Sequence, residues 1–227
     1  MRDASEVGIP YFTINVTVST KNGPQTITTI TDLYGVWSLL LPDGTTFTAC
    51  EVLPSAAWTQ TGPIPGTSVI GATADSNKCW TGTLSGTDIF GLDFGNVIQI
   101  SGKKYYDANV NGSLDPGEAG VAGFRINLGF CTGVGCVPST IATTVTTDAN
   151  GAWSAVVPFP SDRYMACEVL PTSWIQTGPL PGATASGGGA TATAAKCWLG
   201  TVGVGDGTGL DFGNVCLGAS GGLTLGF

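Results

Sequence analysis

The segment Asp107–Glu118 has the residue types and the spacing of a calcium-binding loop. In the twelve-residue calcium-loop pattern, oxygen-bearing residues alternate along the loop, a glycine permits a sharp turn, and a glutamate closes the loop. The residues at the ligand positions are Asp107, Asn109, Asn111, Ser113 (through its carbonyl), Asp115 and Glu118, with Gly112 at the turn. The pattern predicts one bound Ca²⁺ ion. The alternative is an Asn/Asp/Gly turn that binds nothing.

Composition excludes several other kinds of chemistry. The 227-residue chain has no histidine, which removes Ser-His-Asp and Cys-His catalysis and histidine-ligated zinc sites. Asp93 and Asp211 lie in glycine-rich segments without a neighbouring base or nucleophile, so we expect no enzyme. The net charge of −8 argues against nucleic acid and anionic membranes as partners. We also expect no membrane span, because no apolar run is long enough.

The chain is an internal duplication. Cys50–Pro54 recurs as Cys167–Pro171, and Gly91–Val97 recurs as Gly209–Val215, in the same order. The repeat predicts module 1 at residues 1–97, module 2 at residues 98–215 and a tail at residues 216–227.

Module 2 opens with a segment that module 1 lacks. This segment, Ile98–Tyr106, precedes the calcium loop, and of that loop module 1 keeps only Asp3 and Glu6. We therefore expect module 1 to bind calcium weakly or not at all, and to lack its own first strand.

The elements that must position these residues are short β-strands. Tyr11–Ser19, Gln25–Thr31 and Val36–Leu41 are rich in β-branched and aromatic residues, and Asn/Asp/Gly turn signals separate them. No segment shows a helical apolar period. Roughly seven strands in each module predict an all-β chain of two tandem Greek-key β-sandwich domains, prealbumin-like or immunoglobulin-like.

The seven cysteines indicate an oxidising, extracellular environment. Cys50 and Cys79 occupy the same places in module 1 as Cys167 and Cys197 in module 2. We therefore predict the disulfides Cys50–Cys79 and Cys167–Cys197. Cys131 and Cys136 can pair locally, which leaves Cys216 without a partner.

Several segments of module 2 resemble the B-type repeats of Sdr surface proteins. They are Ile100–Gly112, Asp115–Gly123, Thr147–Gly151, Glu168–Pro171 and Asp211–Asn214. These repeats belong with the collagen-adhesin B β-sandwiches that form stalks of bacterial surface proteins. The resemblance implies an extracellular or cell-surface spacer module that is stiffened by calcium and is not an enzyme.

The resemblance also implies a candidate covalent cross-link. Some of these sandwich families join a lysine to an asparagine, assisted by an acidic residue, and the matching residues are Lys104 (or Lys103), Glu168 and Asn214. The alternative is an ordinary Lys–Glu pair beside a turn asparagine. Module 1 has Glu51 and Asn96 but no first-strand lysine, so it cannot form the bond from its own chain.

Two functions remain open at this point. The first is a structural stalk whose copies associate head to tail, because Leu223, Leu225 and Phe227 share one face and could donate a strand to module 1 of the next chain. The ends of the chain could equally be those of a fragment. The second function is an adhesive module for a glycan or a host or matrix protein. Its candidate sugar-stacking residues, which could instead close the ends of the sandwiches, are Trp58, Trp80, Trp174 and Trp198.

Overall fold

The computed structural model describes residues 6–133, 136–158 and 161–217. Within these ranges the chain has sixteen β-strands and no helix, which confirms the prediction of an all-β, sandwich-type protein. No membrane-crossing helix is therefore found among the described residues. The chain divides into two compact units, residues 1–54 with 58–97 and residues 55–57 with 98–227.

The first unit is built on a six-stranded sheet of order β2-β1-β3-β7-β6-β5. Its strands are β1 (Thr13–Thr20), β2 (Gly23–Ile30), β3 (Thr46–Val52), β4 (Trp58–Gly62), β5 (Ser68–Val69), β6 (Ala72–Ala74) and β7 (Trp80–Thr83). Alternate residues of β1 point inward, so Ile14, Val16 and Val18 join Phe47 and Trp80 in the core. The strand β4 lies outside this sheet and pairs with β8 (Gly95–Tyr106).

The second unit has two sheets. Its further strands are β9 (Arg125–Cys131), β10 (Thr143–Thr146), β11 (Ala152–Val157), β12 (Arg163–Glu168), β13 (Trp174–Gln176), β14 (Ala190–Ala192), β15 (Trp198–Thr201) and β16 (Phe212–Cys216). One sheet has the order β10-β9-β12-β15-β14 and the other β11-β8-β16-β13. The strand β8 thus lies between β11, which is antiparallel to it, and β16, which is parallel to it.

One strand prediction is wrong, and the duplication explains why. In module 2, β11 forms its ladder with Ile98–Lys103 of β8. The corresponding residues of module 1, Val36–Leu41, do not form a strand. A strand needs a neighbour that satisfies its N–H and C=O groups, and no described residues of module 1 take the place of Ile98–Lys103. Strand-forming residues are therefore present in module 1 without the partner that would order them.

Candidate functional site

Lys104 is held in the interior of module 2. On β8 it follows Ile98, Ile100 and Gly102 at every second position, so it occupies a core-facing place, and its side chain is fully buried. Its Nζ lies 3.1 Å from Oε2 of Glu168, whose side chain is also fully buried. The same Nζ donates a hydrogen bond to the carbonyl of Phe212 at 3.1 Å and lies 4.7 Å from the ring centroid of Phe124.

Lys103, the alternative lysine, takes a different place. Its backbone N–H donates to Oδ1 of Asp211 at 2.7 Å, and its Nζ lies 3.5 Å from the Glu118 carbonyl. Of the two lysines, therefore, Lys104 is the one beside Glu168.

Asn214 completes the predicted set on a third strand. It lies on β16, is fully buried, and is in register with Tyr106 of β8. It lies near enough to Glu168 to lower the pKa of that carboxyl. Neither polar side-chain atom of Asn214 makes a hydrogen bond of standard geometry to the described residues. The fold therefore brings Lys104, Glu168 and Asn214 together from strands that are distant in sequence.

Burial moves both charged groups of this set towards their neutral forms. Desolvation lowers the pKa of Lys104 to about 8, although the charges of Glu168 and Asp107 oppose the shift. Desolvation also raises the pKa of Glu168, against the opposing effects of Lys104, Asn214 and Lys196. A neutral amine is a nucleophile and a protonated carboxyl can polarise an amide carbonyl, so the set has the components of amide-bond formation.

Module 1 keeps the acceptor part of this arrangement. Nδ2 of Asn96 donates to Oε2 of Glu51 at 2.8 Å. Burial raises the pKa of Glu51 to about 7, against the opposing effects of Asn96 and Lys78. Among the described residues, Oε1 of Glu51 and Oδ1 of Asn96 are buried without a hydrogen-bond partner.

The core positions around this pair differ between the modules. In module 2 the inward residues of β11 and the segment leading into β16 are buried, and they are Trp153, Ala155, Val157, Leu210 and Phe212. Their counterparts in module 1 are only half-buried, and they are Trp37, Leu39, Leu41, Leu92 and Phe94. The ring pair Trp37–Phe94 nevertheless matches Trp153–Phe212, with centroids 6.3 and 6.2 Å apart. Module 1 therefore has the same core geometry with one side less covered, as expected of a module without its own first strand.

The loop 107–118 is folded on hydrogen bonds to its own backbone. The two carboxylate oxygens of Asp107 accept from the N–H groups of Asn111 and Gly112, and those of Glu118 accept from Ala108 and Asp115. The Nδ2 atoms of Asn109 and Asn111 both donate to Oδ2 of Asp115 at 2.8 and 2.6 Å.

These contacts determine how the loop suits a metal. An open pocket beside the loop is lined by Asn109, Asp115 and Glu118 among others. The atoms of these side chains that could bind a metal are oxygens, which calcium prefers as ligands. Across the described part of the chain, however, no group of three or more His, Cys, Asp or Glu side chains lies close enough to hold a metal ion. Calcium would therefore have to draw the carboxylates away from their present N–H donors.

The structure links six cysteines in three pairs. The Sγ atoms are 2.08 Å apart in Cys50–Cys79, 2.07 Å in Cys167–Cys197 and 2.14 Å in Cys131–Cys136. The first two disulfides connect equivalent places in the two modules. Cys50–Cys79 joins β3 to the residue before β7, and Cys167–Cys197 joins β12 to the residue before β15. Cys216, at the end of β16, is exposed and free.

The tryptophans form part of the interior. Trp80 and Trp198 are buried, and their Nε1 atoms donate to the carbonyls of Asp93 and Asp211, both at 3.0 Å. Trp58 and Trp174 are half-buried, and they pack edge to face on Phe12 and Phe124 with centroids 4.9 and 5.0 Å apart. Trp80 and Trp198 therefore present no face on which a sugar could stack.

Known protein structures resemble this chain only distantly. No protein-family model and no curated protein matches the sequence. Among solved structures, the shaft pilin SpaA of Lactobacillus rhamnosus GG matches with a TM-score of 0.29 and 10% identity over 95% of this chain and 92% of the pilin. A single-mutant form of that pilin matches with a TM-score of 0.30 and 11% identity over 93% and 90% of the two chains.

Proposed function

We propose that the chain is an extracellular structural protein of tandem β-sandwich modules, whose copies assemble head to tail into filaments. In this proposal a strand donated by a second chain completes module 1. The observation that carries it is the unequal burial of equivalent core positions: the residues that β8 covers in module 2 are only half-buried in module 1. Three disulfides support an oxidising location such as the cell surface.

The half-buried residues supply the driving force for strand donation. Completing the burial of an aliphatic or aromatic side chain that is already half-covered stabilises by about 1 kcal/mol, so the five positions contribute about 5 kcal/mol. A donated strand also provides ladder partners for Val36–Leu41. Ordering the donor costs about 1–2 kcal/mol per residue, and burial of the donor's own apolar side chains, at about 1.5–3 kcal/mol each, offsets this cost.

The proposed donor is the tail, through Leu223, Leu225 and Phe227, which lie outside the described residues. The test compares three forms of the chain by light scattering at high protein concentration. The full chain should assemble, and deletion of residues 223–227 should give monomers. Leu225→Asp should also block assembly, whereas Thr224→Asp, on the opposite face of the strand, should not. A monomeric full chain, or equal assembly after the deletion, would contradict donation by this tail.

Within module 2, we assign Lys104, Glu168 and Asn214 to an intramolecular amide bond. The neutral Nζ of Lys104 attacks Cγ of Asn214, the Glu168 carboxyl relays the proton, and the side-chain amide nitrogen leaves as ammonia. The intact mass should be lower by one ammonia than the mass calculated from the sequence with its disulfides. Asn214→Ala should remove this deficit and Asn96→Ala should leave it. A full mass in the parent chain would show an ordinary ion pair.

We also assign a Ca²⁺ ion to the loop 107–118, on the strength of its complete oxygen pattern. A ligand selective for the native state raises stability by mass action, so calcium should raise the melting temperature relative to chelator. Glu118→Gln should remove most of this increase, whereas Glu6→Gln in module 1 should not. Equal melting temperatures with calcium and chelator would contradict the assignment.

A further inference from the structure

The Glu51–Asn96 pair of module 1 lies in a site that matches the surroundings of a lysine. In module 2 the Lys104 side chain lies next to the Phe124 ring and the Glu168 carboxyl, and the Asn214 amide lies close to that carboxyl. Each of these three groups has an equivalent in module 1. They are Phe12, Glu51 and Asn96.

The equivalent groups are also arranged alike. Phe12 packs on Trp58 as Phe124 packs on Trp174, edge to face in both modules. Asn96 contacts Glu51 directly, and a buried oxygen of each has no hydrogen-bond partner among the described residues. Burying polar atoms without partners costs free energy, which a donor entering this place would recover.

No lysine described in module 1 fills this place. Lys78 lowers the pKa of Glu51, but its Nζ donates to the carbonyl of Gln60. The repeat aligns it with Lys196, which makes the same contact to Gln176 in module 2, where Lys104 is present as well. Lys78 therefore has its own structural role, and the described residues of module 1 supply no counterpart of Lys104.

We propose that module 1 accepts a strand from another polypeptide that carries a lysine at the position of Lys104, and that this lysine forms an amide bond with Asn96. The proposal rests on the strand addition proposed above and specifies the chemistry of the strand. The incoming segment has the pattern of Ile98–Lys104, with apolar residues at alternate positions and the lysine opposite Phe94, the counterpart of Phe212. The tail at 218–227 contains no lysine, so it fills the site without a covalent bond.

The bond-forming step is balanced without any further reactant. Rotation of the Asn96 amide about χ2 exchanges Nδ2 for Oδ1, which places Oδ1 against the protonated Glu51 carboxyl. The neutral lysine Nζ attacks Cγ of Asn96, and Glu51 donates its proton to Oδ1. The carboxylate then takes a proton from the attacking nitrogen and passes it to the leaving NH₂ group. One C–N bond forms, one breaks, ammonia leaves, and Glu51 is unchanged.

The test uses the full chain, the chain without residues 223–227, in which the tail cannot compete for the site, and a synthetic, dye-labelled peptide with the sequence of residues 98–106. One peptide carries Lys103→Arg and so keeps only the lysine at 104. The matched control peptide carries Lys104→Arg and keeps only the lysine at 103. Fluorescence anisotropy measures binding, and intact mass after denaturation measures covalent addition. Asn96→Ala and Glu51→Gln chains serve as acceptor controls.

The first peptide should bind and give an adduct of chain plus peptide less one ammonia, with the link at Asn96 by fragment mass spectrometry. The control peptide should bind without forming an adduct. Asn96→Ala should abolish the adduct and retain binding, and Glu51→Gln should slow adduct formation at least tenfold if the carboxyl acts as the proton relay. Binding without an adduct at any pH would overturn the amide bond and leave strand addition intact. An adduct at another residue would also overturn the amide bond to Asn96. Failure of the peptide to bind the chain that lacks residues 223–227 would overturn this proposal, whereas donation by the tail is decided separately by light scattering.

Discussion

Replacing Lys104 by methionine isolates the effect of the buried charge next to Glu168. The change keeps an unbranched side chain of similar length but removes the ammonium group that lowers the pKa of Glu168. The experiment is made in an Asn214→Ala background, so that no amide bond contributes. In the variant, the native state holds Glu168 in its protonated form, because an unpaired carboxylate in a fully buried place is strongly unfavourable.

The magnitude follows from the proton that the native state retains. The unfolded carboxyl titrates near 4.5, so the native state binds an additional proton above that pH, and its stability falls as the pH rises. Well above the unfolded pKa each pH unit corresponds to about 1.4 kcal/mol, so Lys104→Met should lower the free energy of unfolding by up to about 3.4 kcal/mol at pH 7 and by at most about 0.8 kcal/mol at pH 5. The upper limits apply where the parent carboxylate is ionised.

Urea unfolding at both pH values, followed by tryptophan fluorescence, measures this difference. The double variant Lys104→Met/Glu168→Gln contains no carboxyl at this place. The difference between its free energy of unfolding and that of the parent should therefore not grow between pH 5 and pH 7. Lys21→Met is the control, because Lys21 is exposed at the turn between β1 and β2, and its effect on the free energy of unfolding should not change between pH 5 and pH 7. A cost of Lys104→Met that is equal at pH 5 and pH 7 would refute the reasoning.

Three further predictions concern other parts of the chain. Replacing Cys50 and Cys79 by serine should lower stability by about 3–4 kcal/mol in the chain-entropy model, since this disulfide spans 29 residues, and urea unfolding with and without reductant measures the effect. Gly112→Ala should lower the free energy of unfolding by about 1–3 kcal/mol in the same assay, because Gly112 has a φ of +77° and an added Cβ would lie 2.8 Å from Cδ2 of Leu180. Gly117→Ala, also at positive φ, should have a smaller effect, because its Cβ would meet no neighbour. Glu51→Gln should reduce the loss of stability between pH 4.5 and about 7, because the parent Glu51 carboxyl has its pKa raised to about 7 and holds its proton over that range in the folded state only. An unchanged pH profile in Glu51→Gln would show that this carboxyl does not couple to folding.

Much of the architecture could be predicted because its signals are local or repeated. Short β-branched segments between Asn/Asp/Gly turns predicted an all-β chain, since turn chemistry and strand propensity act over a few residues. The duplication placed Cys50 and Cys79 in correspondence with Cys167 and Cys197 without any structural information. The same comparison predicted a difference between the modules, since no segment of residues 1–97 repeats Ile98–Tyr106.

The pairing of strands and the burial of side chains were decided only by the tertiary structure. Val36–Leu41 has the composition of a strand but forms none, because a strand depends on a neighbour that is distant in sequence. Adjacent lysines could not be told apart by composition, because consecutive residues of a strand face opposite sides and only the pairing of β8 with β11 and β16 turns Lys104 inward. The contact between Glu51 and Asn96 likewise exists only because the fold brings together two segments that lie 45 residues apart in sequence.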